Sequence, residues 1–142
     1  VTITKPDAHE PAGGSRPDVV PGEWVRACPL SDLAVGRGVG VLGPEFEQAA
    51  LFRIPAMETD REAVLGRTRL YAIGNIDPFA RAAVLSRGVT GDRAGEPTVA
   101  SPLGKQVFSL RTGSCLDDEE KSVPSYAVRV ADDMVEVYFP RP

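Results

Sequence analysis

The chain has 142 residues, with 20 acidic against 16 basic side chains and a formal net charge of −4. That length supplies one domain with one core. The longest basic cluster, Arg67-Thr68-Arg69, is too short to neutralise a row of phosphates, which excludes a nucleic-acid or anionic-membrane surface. No apolar run approaches 18 residues and no basic-then-apolar leader opens the chain, so no membrane span and a cytoplasmic location are expected.

Residues 1–22 are rich in Pro and Gly and poor in apolar side chains, which predicts a disordered tail ahead of a folded domain over 23–142. The only histidine, His9, falls in that tail. A His-based triad, a His-ligated zinc or an imidazole proton shuttle in the core is thereby excluded. From Glu23 the pattern changes. "EWVRAC" reads as a strand, and "PLSDLAVG" as a turn with a short helical twist capped by Ser31. "GVGVLG", "QAALFRI" and "RLYAIGN" follow as strands. "TDREAVLG" carries Thr59 and Glu62 at capping-box spacing and Gly66 as a stop, a predicted helical surface insertion. "DPFARAAVLSRG" predicts a better helix: Asp77 as cap, Pro78 at the first position, Gly88 at the end. The remaining runs, "EPTVASP", "KQVFSL", "SYAVRVA" and "MVEVYFP", alternate in the manner of strands, with a hairpin turn at Ala131-Asp132-Asp133. About eight short strands punctuated by Gly and Pro predict an antiparallel β-sandwich or barrel.

Several segments imitate functional motifs. Gly38–Gly43 fits G-x-G-x-x-G, but Pro44-Glu45 follows where a dinucleotide fold needs a helix. Asp117-Asp118-Glu119-Glu120 lacks the spaced oxygen ligands of a cation loop and reads as a solvated run. Trp24 and Phe108, with no basic groove beside them, read as core aromatics. Ser86 and Ser101 have no base to activate them. Cys28 and Cys115 form no CxxC pair and are expected as free, buried thiols.

Two loops, "NIDPFARAAVLSRG" and "VASPLGKQVFSLRTG", lie about 25 residues apart, each between strands. With the Pro102 and Phe108 frame, the Gly113 turn and the closing hairpin "SYAVRVADDMVEVYF", they resemble a Rieske-type domain. In that family, C-x-H and C-P-x-H loops hold a [2Fe–2S] cluster. Asp77 and Phe79 stand at the first ligand pair, Ser101 and Gly104 at the second. Hard oxygen donors and residues with no donor cannot hold a thiolate-demanding cluster. The resemblance therefore implies an all-β, Rieske-like antiparallel sandwich with one short helix and a cluster-type subdomain that has lost its ligands.

A Rieske-like frame emptied in this way, with "DPF", "AAVLSRG", "VASPL" and "SVP", resembles the small subunits of assimilatory NAD(P)H-dependent nitrite reductases, oxidoreductases of nitrogen metabolism. Two features depart from that pattern: a long stretch over 55–69, and Gly104 where a bulkier residue is usual. The resemblance implies no cofactor, catalytic residue or metal in this chain. FAD, an iron–sulfur cluster and sirohaem are implied in a large-subunit partner that reduces nitrite to ammonium. Pro78, Phe79, Pro102, Leu103, Lys105 and Gln106 are the implied contact residues. Asp77 is expected to act as a local cap. Two other readings stay open at this point: a Rieske-type ferredoxin carrying electrons, and a stand-alone β-sandwich binding module.

Overall fold

The computed structural model describes residues 21–56 and 67–141. Among these residues, twelve strands are arranged in four antiparallel sheets. The first sheet has the order β1 (Gly22–Pro29), β12 (Met134–Pro140), β11 (Val128–Ala131). The second has the order β10 (Ser125–Tyr126), β4 (Thr68–Gly74), β3 (Gln48–Pro55), β2 (Gly38–Leu42). A two-stranded ribbon joins β5 (Ile76–Asp77) to β6 (Ala82–Ala83). The fourth sheet has β8 (Glu96–Ala100) between β7 (Val89–Arg93) and β9 (Val107–Ser109). Among the described residues no helix is long and apolar enough to cross a membrane.

The central strands explain the architecture. In β3 the run Ala49-Ala50-Leu51-Phe52 is buried throughout, because both faces of its sheet are covered. Ala49 and Leu51, with Leu70 and Ala72 of β4, pack on Val128, Val130, Val135, Val137 and Phe139 of the first sheet. Their alternates Ala50, Phe52, Tyr71 and Ile73 face the opposite way, onto Leu85, Val99, Phe108 and Leu110. Side chains two apart share a face in a strand, so one continuous apolar run feeds two cores. The second core is the platform on which both candidate loops sit.

Several expectations need revision. No α-helix forms over 77–88. Arg81 adopts φ 58°, and Ala82-Ala83 fold back onto Ile76-Asp77. Asn75 then takes the N–H groups of Leu85 (on its carbonyl, 3.0 Å) and Ser86 (on Oδ1, 2.7 Å). Leu85–Arg87 is a single 3₁₀ turn, and Gly88 follows it. Alanine propensity is a weak prior that these tertiary bonds and the burial of Leu85 override. The expected twist near Ser31 is a 3₁₀ turn over Leu30–Asp32. Pro29 holds its N-cap position, and no side chain caps it. "SYAVRVA" is divided between two sheets, β10 pairing with β4 and β11 with β12. The predicted insertion at Thr59, Glu62 and Gly66 lies outside the described residues, as do residues 1–20 of the expected tail; Gly22 already pairs with Pro140 in β1.

Candidate functional site: two loops without cluster ligands

The first loop is built around Asp77. Its Oδ1 accepts the N–H groups of Phe79 (2.7 Å) and Ala80 (3.2 Å), and its carbonyl accepts that of Arg81 (2.7 Å). The carboxylate thus caps a tight ribbon turn in place of the expected helix, by the same physical device. The second loop closes on itself. Ser101 donates its N–H to the Gln106 carbonyl (2.9 Å) and accepts the Lys105 N–H on its own carbonyl (3.0 Å), with Lys105 at φ 66°. Its Oγ accepts the Leu103 N–H at 3.2 Å.

The loops meet at these two side chains. Ser101 Oγ donates to Asp77 Oδ2 at 2.5 Å, a charge-assisted length. Both residues are buried, Asp77 with no exposed surface. The resemblance assigns each of them to one half of a ligand set, and the hydrogen bond joins them directly. Phe79 lays its ring against Phe108, centroids 6.3 Å apart, with Lys121 Nζ 5.6 Å from its own centroid. Gly104 is exposed, but a Cβ there would meet Gln106 Oε1. That oxygen is buried without a hydrogen-bond partner.

The donor set does not fit a [2Fe–2S] cluster. The Asp77 carboxylate already accepts three hydrogen bonds, Ser101 Oγ is committed to donating one and accepting another, and Phe79 and Gly104 offer no donor atom. Such a cluster needs thiolate or imidazole at these points. Among the described residues no three of His, Cys, Asp and Glu gather as a metal group.

Of the expected contact residues, Pro102, Leu103 and Lys105 are exposed, Leu103 by 57%. Pro78, Phe79 and Gln106 are half-buried. Sequence reasoning missed Asn75, whose side chain and backbone fix the base of the first loop; a lone polar residue ending an apolar strand was its signal. It also missed β7, whose turn to β8 is Ala94-Gly95, both at positive φ.

The apparent motifs resolve into structure. Gly38–Leu42 is strand β2, hydrogen-bonded along β3. Asp117 accepts the Val107 N–H at 2.9 Å and pairs with Arg93 at 3.1 Å; the backbone bond first, then the arginine, holds its carboxyl below the usual value of 3.8. Phe108 is fully buried, as expected of a core aromatic. Trp24 is not core: it is half-buried between Tyr138, 5.1 Å away, and the Arg129 guanidinium, 4.1 Å above its ring. Cys28 and Cys115 are free thiols, Cys115 buried and Cys28 partly so. Burial and then Asp32 push the Cys28 thiol above its usual 9.0.

Comparison with known proteins gives a consistent set. Residues 23–138 match the family model of the Rieske-like [2Fe–2S] domain. The nitrite reductase (NADH) small subunit of Salmonella typhimurium is 42% identical over 115 residues, 81% of this chain and 96% of the relative. The solution structure of the Escherichia coli protein NirD superposes with a TM-score of 0.68 at 39% identity, covering 83% of this chain and 97% of that one. The nitrite reductase [NAD(P)H] large subunit of Klebsiella oxytoca is 38% identical over 126 residues, 89% of this chain but 11% of that longer one.

Proposed function

The chain belongs to the Rieske-like [2Fe–2S] domain family, among its nitrite reductase small subunits, and from that premise we propose that it acts by binding, as the accessory subunit of a cytoplasmic NAD(P)H-dependent nitrite reductase. The partner is the large chain, to which the resemblance assigns FAD, an iron–sulfur centre and sirohaem; those cofactors carry the conversion of nitrite to ammonium. This chain contributes a preformed surface.

The observation that carries the reading is the Ser101–Asp77 hydrogen bond. A carboxylate accepting three hydrogen bonds at a former ligand position holds the loops together without iron, so their shape is retained and their redox chemistry is not. The relative from Klebsiella oxytoca supports the choice of partner, since there a domain of this kind lies within a large-subunit polypeptide. The loop tips, with Pro102, Leu103 and Lys105 outward and Pro78, Phe79 and Gln106 half-buried, form the proposed contact surface.

Co-expression with the large chain should give a complex that oxidises NAD(P)H in the presence of nitrite, more slowly or less durably when this chain is omitted. A failure to co-purify, with turnover and stability unchanged by omission, would refute the reading. Leu103→Glu should weaken association by tenfold or more with no change in melting temperature. A purified chain that is red-brown and carries stoichiometric iron would favour an electron carrier instead.

A further inference from the structure

The charged side chains are unevenly satisfied. Among the described arginines, Arg26, Arg93, Arg111, Arg129 and Arg141 pair with carboxylates. Arg53 bonds Thr68 and two backbone carbonyls, and Arg67 and Arg69 also have partners. Arg37, Arg81 and Arg87 alone have side chains with no hydrogen bond, ion pair or ring contact among the described residues.

Two of these three converge. Arg37 and Arg87 line one cleft of about 490 Å³, together with Ser86, Thr90 and Val89, and no carboxylate lines it. In a chain of net charge −4, a local excess of uncompensated guanidinium is a specific feature. The rim is apolar and outward: Val89 is 73% exposed and Val35, next to the lining residue Gly36, is 50% exposed. The cleft is also contiguous with the loops. Val89 pairs with Ala100, the residue before Ser101, and Ser86 hangs from Asn75 at the base of the first loop.

We infer that this cleft receives a carboxylate-bearing segment of the large nitrite reductase subunit, extending the contact surface from the loop tips down the side of the domain. The inference rests on the partner proposed above. The chemistry favours a protein carboxylate over a free anion. Guanidinium forks match carboxylates in pairs, and arginine beside apolar area is the composition of interface anchors. A small anion would meet two solvated guanidiniums with no buried donor to hold it, because Thr90 Oγ1 is already directed to the Gly36 carbonyl at 3.4 Å. A docked segment excludes that water and strengthens the pairing.

The test measures affinity for the intact large subunit at several salt concentrations, using the full chain, the double variant Arg37→Gln/Arg87→Gln, and the pair Arg26→Gln/Arg141→Gln as a charge-matched control at the first sheet. Melting temperatures establish that each variant is folded. The expected result is at least about a tenfold loss in the double variant, with a shallower salt dependence and near-unchanged binding by the control. Equal affinity of the double variant and the full chain overturns the inference while leaving the partner reading intact. Equal losses in double variant and control also overturn it, as a net-charge effect. No binding by the full chain overturns both. Titration with inorganic phosphate alone completes the test: phosphate binding abolished in the double variant, with large-subunit affinity unchanged, would make the cleft a free-anion site instead.

Discussion

At the scale of single residues, Asp77 and Ser101 carry the most weight. Asp77→Ala would leave the Ser101 hydroxyl and the N–H groups of Phe79 and Ala80 without their acceptor in a buried place. A loss of about 2–4 kcal/mol is expected, measured by urea unfolding. Asp77→Asn keeps one acceptor oxygen and should cost less. Asp117 gives a pH signature. Its carboxyl is held below the usual 3.8, so its anchoring of Val107 is complete above that value and lost as pH falls through the lowered one. The Val107 amide resonance should therefore stay fixed down to about pH 4 and shift only in more acid solution. Cys28 runs the other way. Burial and Asp32 disfavour its thiolate, so alkylation of the native protein should be slow at neutral pH and accelerate only above pH 9, with Asp32→Asn faster at each pH.

At the scale of elements, the first sheet is laced by one acidic side chain. Glu136 on β12 receives Arg129 of β11 at 2.6 Å and Arg26 of β1 at 3.2 Å, and Arg129 in turn covers Trp24. The strand register puts all three charged residues abreast. Glu136→Ala removes the shared acceptor and should destabilise by about 1–3 kcal/mol, with Trp24 fluorescence reporting the release of Arg129. The platform beneath the loops has a similar keystone in Phe108, fully buried against Phe79 and the face of β3 and β4. Phe108→Ala should cost about 3–5 kcal/mol in chemical denaturation. Gly113, at φ 84°, brings its backbone so close to the Val123 carbonyl that no Cβ fits, which explains the glycine at the end of the "LRTG" turn.

At the scale of the molecule, the loops, their platform and the adjoining arginine cleft form one continuous side of the domain. Much of the fold was legible in the sequence. Alternation in "MVEVYFP", the two Asp residues of its preceding turn and the spacing of the loops follow from strand period and turn chemistry, which are local properties. So does the misfit of Asp77, Phe79, Ser101 and Gly104 to a thiolate-demanding cluster, because donor chemistry belongs to residue type alone. The false helix over 77–88 shows where local reasoning stops: an Asp cap, a proline and alanines favour a helix when Asn75 is not there to take the N–H groups of Leu85 and Ser86. The Ser101–Asp77 bond, the division of one apolar run between two cores and the unpaired arginines of the cleft were likewise hidden. Sequence by itself determined the strand-rich class, the family frame and a set of loop residues whose donors do not suit a [2Fe–2S] cluster, since each is a property of residue type and short spacing. Only the tertiary structure decided which side chains join the two loops and which charges go unanswered, because both depend on groups far apart in the chain being brought within bonding distance.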